Sequence, residues 1–210
     1  MVIEEIMKKN VITLSPTDSL GRAKLLMYEN GIRHLPVVDM NQLVIGLVTR
    51  SDIYNHFLAS GDENRTVIQD VMNKNVITGH PLDFVEEASA IFYEHKIGCL
   101  PIVDGERLVG IITETDMLHT FVQLTGAHQP GSQIEIRVPN IAGMLSEVAS
   151  VIKERSVNIL SVLVYPSKDE SHKTLVFRVQ TMNPLPLIHD LKTKKYDVLW
   201  PRVPGAINEE

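Results

Sequence analysis

MKKNVITLSPTDSLGRAKLLMYENGIRHLPVVD, residues 7–39, returns sixty-five residues later as MNKNVITGHPLDFVEEASAIFYEHKIGCLPIVD, residues 72–104, and this repetition decides how the chain is read. Without a gap, 16 of the 33 positions are identical, where composition alone gives about one match in fifteen. The chain carries an internal duplication. After a one-residue deletion the copies rejoin as GLVTRSD (residues 46–52) and GIITETD (residues 110–116).

Each copy reads as strand, helix, strand, strand, helix. Val11, Ile12 and Thr13 form a short β-branched run; residues 16–19 (PTDS) offer turn and N-cap chemistry before Leu20, Ala23 and Met27 at helical spacing. Gly31 closes that helix. In the second copy Asp83 stands three residues before Glu86, a capping-box spacing, and Val85, Ala88 and Phe92 repeat the apolar stripe. LPVV (35–38) predicts a strand that starts at a proline, where a missing N–H is best tolerated. VIGLVT (44–49) predicts a buried strand, followed by a helix from Asp52 with Ile53 and Phe57 inward. One copy of roughly 55 to 60 residues buries too little surface to stand comfortably alone, so the two are expected to pack together.

The expected organisation is residues 1–58 and 66–124 for the copies, a polar turn-rich linker at 59–66, and a second break at 125–132, where Gly126 can cap the preceding helix. From 133 to 201 the rhythm changes. Ile134, Ile136 and Val138 alternate as in a half-buried strand, then Leu145, Val148, Ala149 and Ile152 take helical spacing. Two strands, at 159–165 and 174–180, are joined by a polar loop at 167–173; Asn183 and Pro184 start a helix, and 197–200 is a last strand. The order βαββαβ predicts a ferredoxin-like sandwich, followed by a tail at 202–210.

A net charge of -6 without long blocks of either sign argues against nucleic acid and anionic membranes as partners. Cys99 is the only cysteine, which excludes an intramolecular disulfide framework and fits the cytoplasm. No basic, apolar leader opens the chain and no stretch approaches the ~20 apolar residues of a membrane span. The eight histidines never fall at a close zinc-ligand spacing, so no metal site is expected. No nucleophile elbow, P-loop or dinucleotide fingerprint is present, so no catalytic residue is assigned.

The chemistry lies in Thr-x-x-Asp at the junction of an apolar strand and a helix. Thr49 and Thr113 present hydroxyls at strand ends, and Asp52 and Asp116 fall in first helical turns, where exposed N–H groups favour an anion. Such a carboxylate can accept from both hydroxyls of a ribose. It can also simply cap its helix, which is common; its presence in both copies favours ribose.

Gly-h-h-Thr-x-x-Asp (h, apolar) preceded by h-Pro-h-Val-Asp, in tandem over about residues 1–123, resembles a pair of CBS (cystathionine β-synthase type) motifs, a Bateman module. The resemblance implies an adenosine ligand, AMP, ADP, ATP or S-adenosylmethionine, as a regulatory ligand with no obligatory cofactor. Carried over by position, Asp52 and Asp116 grip ribose beside Thr49 and Thr113, while Ile12, Thr13, Ile77, Thr78, Ile32 and Ile97 flank adenine. Arg33 and His34 match positions where relatives place phosphate-binding cations. Gly98 and Cys99 replace that pair in the second copy and Glu114 replaces Arg50, so one strong site is expected, with the cations in the first motif. Glu114 would suit a sulfonium better than a polyphosphate.

Residues 133–201 resemble an ACT domain, a fold that commonly binds amino acids and pairs with a copy of itself. Asn140 and Gly143 mark its effector loop, without the usual Asp and Pro; the loop either takes an amino acid or is only a turn with a cap. The fold class expected is therefore α+β: a tandem CBS pair, then a ferredoxin-like ACT domain. That combination, with HPLDFVEE (80–87), LTGAHQPGSQIEI (124–136), ILSVLVYP (159–166) and TMNPLP (181–186), is similar to the acetoin utilization protein AcuB family. The resemblance implies a non-catalytic regulator of acetoin or butanediol utilization, a homodimer, and the acetyl-CoA synthetase acetylation and deacetylation machinery as partner. A ligand-free interaction scaffold is the alternative.

Overall fold

A computed structural model of the chain describes residues 1–60, 66–167 and 169–202. Residues 61–65 of the expected linker, residue 168 of the polar loop and 203–210 of the expected tail lie outside the described residues. Two compact units divide the chain, Met1–Leu118 and a second beginning at His119.

In the first unit, one copy forms α1 (Leu20–Asn30), β1 (His34–Val38), β2 (Val44–Thr49) and α2 (Arg50–Ser60). The other forms α3 (Val85–His95), β3 (Cys99–Asp104), β4 (Arg107–Thr113) and α4 (Glu114–Leu124), whose residues from His119 on belong to the second unit. β1 pairs with β2 and β3 with β4, both antiparallel. The run 11–13 is not a regular strand: only Leu14 joins, in a parallel bridge to Val37, as Gly79 does to Ile102. Leu14 N–H donates to Pro36 C=O at 2.9 Å and its C=O accepts from Val38 N–H at 2.9 Å. This also explains Pro36, which is the third residue of β1 and not its first. The N and C=O of one strand residue face the same side, so the ring nitrogen points toward the lone bridge and leaves the ladder with β2 intact.

Helix ends follow local chemistry, with one shift. Ser19 accepts from Arg22 N–H at 3.2 Å, and Gly31 ends α1 at φ 62°. Asp83 does not cap α3; it accepts from His80 N–H at 2.7 Å and fixes the preceding turn, as Asp18 does for Ser15 at 2.8 Å. The reach-back belongs to Glu87, which accepts from Phe84 N–H at 3.0 Å. Phe57 departs from expectation: it stays 45% exposed while Ile53 is buried, because α2 covers β2 through Ile53 and leaves the next turn uncovered.

The two cores are interlocked. Leu20, Ala23, Leu35, Val37 and Val48 of the first copy enclose Ile68, which precedes the second repeat. Val85, Ala88, Leu100 and Ile112 of the second enclose Ile3, from the chain's beginning. Backbone pairs fasten the exchange, Ile3 N–H to Asp83 C=O and Ile68 N–H to Asp18 C=O. Each buried isoleucine stabilises the opposite copy by about 2 kcal/mol.

The second unit runs β5 (Ser132–Pro139), α5 (Met144–Glu154), β6 (Ile159–Pro166), β7 (His172–Val179), α6 (Leu185–Thr193) and β8 (Asp197–Trp200). Its sheet order is β6-β7-β5-β8, the βαββαβ sandwich expected. Ile134, Ile136, Val138 and Phe177 meet Val148, Val151 and Ile152 in the core. Leu145 is exposed instead, its expected place being taken by Met144, so the buried stripe of α5 starts one residue earlier. Likewise α6 begins at Leu185, although Asn183 still accepts from Leu185 N–H at 3.3 Å. Residues 125–131 are tied to this sheet: Arg178 donates to Gln129 C=O at 2.7 Å and Ser161 to Thr125 C=O at 2.8 Å. Gly126, at φ 65°, ends α4 as expected.

Candidate functional site

Thr49 and Asp52 cap α2 reciprocally. Thr49 N–H and Oγ1–H both donate to Asp52 Oδ2 at 2.8 Å, and Thr49 Oγ1 accepts from Asp52 N–H at 3.2 Å. The second copy repeats this, with Thr113 N–H and Oγ1–H donating to Asp116 Oδ2 at 2.9 and 2.6 Å. Capping thus engages one oxygen of each carboxylate, Oδ2, and makes no use of the other.

There the copies part. Asp116 Oδ1 meets Lys8 Nζ at 3.0 Å. Among the described residues no partner stands at Asp52 Oδ1. Burial works against ionisation of Asp116, but hydrogen bonds from Thr113 and Lys8 outweigh it and hold the carboxyl below the usual value.

A cleft of about 250 Å³ joins the two copies. Ile12, Ile32, Arg33 and His34 come from the first, Ile111 and Thr113 from the second, and Lys8 beside them links to Asp116. Thr13 does not line it. By the repeat alignment, the positions equivalent to this cleft's lining are those of Thr49 and Asp52 with Ile77, Thr78 and Ile97. Its frame repeats: Lys8 and Ile111 exchange backbone hydrogen bonds at 3.0 and 3.1 Å, as Asn73 and Leu47 do at 2.9 and 2.9 Å. Asp116 thus pairs with Lys8 from the opening segment of the other copy, and the Leu47–Asn73 backbone pair repeats that crosswise framing for the first copy.

Arg50 is not beside Arg33 in that cleft. Its N–H donates to Arg33 C=O at 2.9 Å, while its side chain lines a groove of about 400 Å³ with Tyr28, Tyr54 and Phe57. His34 lies where the copies meet, against Gly98 and near Glu114. Burial first, and then the Arg33 guanidinium, lower its pKa; Glu114 and Asp52 pull the other way. Cys99 is a buried apolar residue, its thiol pushed up to about 12 by burial.

Sequence reasoning missed Lys8, Asn10, Gly31 and Thr115, which also line the cleft. Lys8 was visible as a charge facing Asn73 across the repeat alignment. In the second unit Asn140 does not cap α5: its side chain donates to Glu170 C=O at 3.2 Å, and Gly143, at φ 93°, holds the N-cap position without a side-chain bond. Among the described residues no group of three His, Cys, Asp or Glu could hold a metal ion, and no helix is long and apolar enough to cross a membrane.

Two interlocked Thr-x-x-Asp repeats around a shared cleft, followed by a βαββαβ sandwich, define a tandem CBS pair with an ACT domain. Residues 3–59 and 68–123 match the CBS domain family and 132–191 the ACT domain; the chain belongs to the CBS-domain family. It is 40% identical over 116 residues to inosine-5'-monophosphate dehydrogenase of Methanocaldococcus jannaschii, a match covering 55% of this chain and 22% of that enzyme. The chain thus spans less than a quarter of that relative's length. Among solved structures it resembles an acetoin utilization protein (AcuB) from Vibrio cholerae, at 33% identity and TM-score 0.57 over 61% of this chain and 96% of that one. The CBS domain pair of protein MJ0100, solved in complex with 5'-methylthioadenosine and S-adenosyl-L-methionine, is 29% identical at TM-score 0.54 over 61% and 98%.

Proposed function

We propose that this chain is a non-catalytic regulator in which an adenosine ligand, AMP, ADP, ATP or S-adenosylmethionine, binds between the CBS motifs and modulates a partner in acetoin or butanediol utilization. The carrying observation is that the cap of each aspartate uses only one carboxylate oxygen, and that Thr113, the capping partner of Asp116, lines a cleft with isoleucines from both copies. The adenosine ligands of the MJ0100 pair and the likeness to the Vibrio cholerae protein support the ligand class and the setting. The reading places the chain in the cytoplasm as a homodimer, with the acetyl-CoA synthetase acetylation and deacetylation machinery as partner. For ligand to act on that partner, its affinity must differ between two arrangements of the motifs.

Calorimetry with AMP, ADP, ATP and S-adenosylmethionine tests this. Wild type binds at least one of them, and Asp52→Ala or Asp116→Ala weakens binding; heatless titrations with all four would end the sensor reading. One observation favours the alternative, a ligand-free scaffold: both aspartates already have a structural use as caps. On that reading the alanine variants lower stability and leave partner association unchanged.

A further inference from the structure

We propose that Lys8 holds the Asp116 cleft against nucleosides, so that the Asp52 cleft is the tighter of the two. The inference rests on the adenosine reading and deepens it by ranking the sites.

A carboxylate that grips ribose needs acceptor capacity for two neighbouring hydroxyls. In both copies Oδ2 is shared with two Thr donors, so Oδ1 decides. At Asp116 it is taken by the Lys8 ammonium at 3.0 Å, and Lys8 itself lines the cleft. An ammonium has no lone pair to offer a hydroxyl and is a stronger donor to a carboxylate than any hydroxyl, so it takes one of the two acceptor sites of Oδ1 and an entering ribose must compete with it for the pair. In the other cleft the matching residue is Asn73. Its backbone pairs with Leu47 just as that of Lys8 pairs with Ile111, but its side chain turns back to accept from Asn75 N–H at 2.9 Å. Nothing cationic reaches Asp52 from that position. Lys8 is 63% exposed, which limits the handicap to about three- to fivefold in affinity.

The probe is adenosine, which has no phosphate for Lys8 to attract, titrated by calorimetry into full-length chains. Asp52→Asn and Asp116→Asn keep an acceptor for the capping Thr and isolate one cleft each. In the Asp52→Asn background, Lys8→Asn tightens adenosine about three- to fivefold and Lys8→Arg leaves it unchanged. In the Asp116→Asn background Lys8→Asn changes nothing. Unaltered or weaker binding by Lys8→Asn with Asp52→Asn overturns the ranking while the sensor reading stands. Absence of adenosine binding by wild type and Lys8→Asn alike overturns the ranking, whereas the sensor reading falls only if AMP, ADP, ATP and S-adenosylmethionine also give no heat.

Discussion

The imidazole of His34 in one copy lies over Gly98 of the other so closely that a methyl group built on Gly98 would come within 2.8 Å of His34 Nε2. The large residue of one motif is thus accommodated by the missing side chain of its counterpart. Gly98→Ala should cost about 1–3 kcal/mol by overpacking. Adding His34→Ala should return part of that loss, since the clash needs both partners. A double-mutant cycle by urea denaturation measures the coupling; strictly additive losses would show that the contact is not tight.

His34 also sets a pH dependence. Burial and Arg33 hold its folded pKa below the 6.5 of the free side chain. As pH falls through 6.5, the unfolded chain gains a proton that the folded chain refuses. His34 therefore contributes stability above that value and loses it as pH falls through the folded pKa. Denaturation midpoints of wild type should drop between about pH 7 and 5, and His34→Gln should flatten that part of the profile. Asp116, also depressed, acts lower, from about pH 4 downward, with stability lost on acidification. The two windows are separable.

The Thr hydroxyls make a third test. Thr49→Val and Thr113→Val keep shape but remove a donor to the carboxylate and an acceptor for the helix N–H. Each should destabilise by about 1 kcal/mol, and Thr→Ser at either position should retain most of the cap. Thermal denaturation without ligand reads this independently of any binding role.

Much of the fold was legible because the repeat states its pattern twice. Helical spacing at Leu20, Ala23 and Met27 and at Val85, Ala88 and Phe92 marked α1 and α3, and alternation at Ile134, Ile136 and Val138 marked β5. Besides the run 11–13, which makes only a lone bridge at Leu14, and Asn140, which does not cap α5, the errors are one-residue shifts and facing errors. Local rules allowed either Asp83 or the next residue to begin α3, and the turn at His80 claimed the aspartate. Periodicity could place Phe57 and Leu145 on a helix but could not say how much surface the neighbouring elements would cover. The crosswise sharing of the clefts was hidden for a related reason. It depends on contacts such as Asn73 with Leu47, which no local pattern encodes.

The exchange of Ile3 and Ile68 has a consequence for how such a chain can come to exist. Each half lends the other its first few residues, so a single half would carry an unfilled socket and a dangling plug. Two identical halves on separate chains could satisfy both needs symmetrically. Joined head to tail in one polypeptide, the same contacts close on themselves, and each half is then free to diverge, as Lys8 and Asn73 have, without losing its fit to the other.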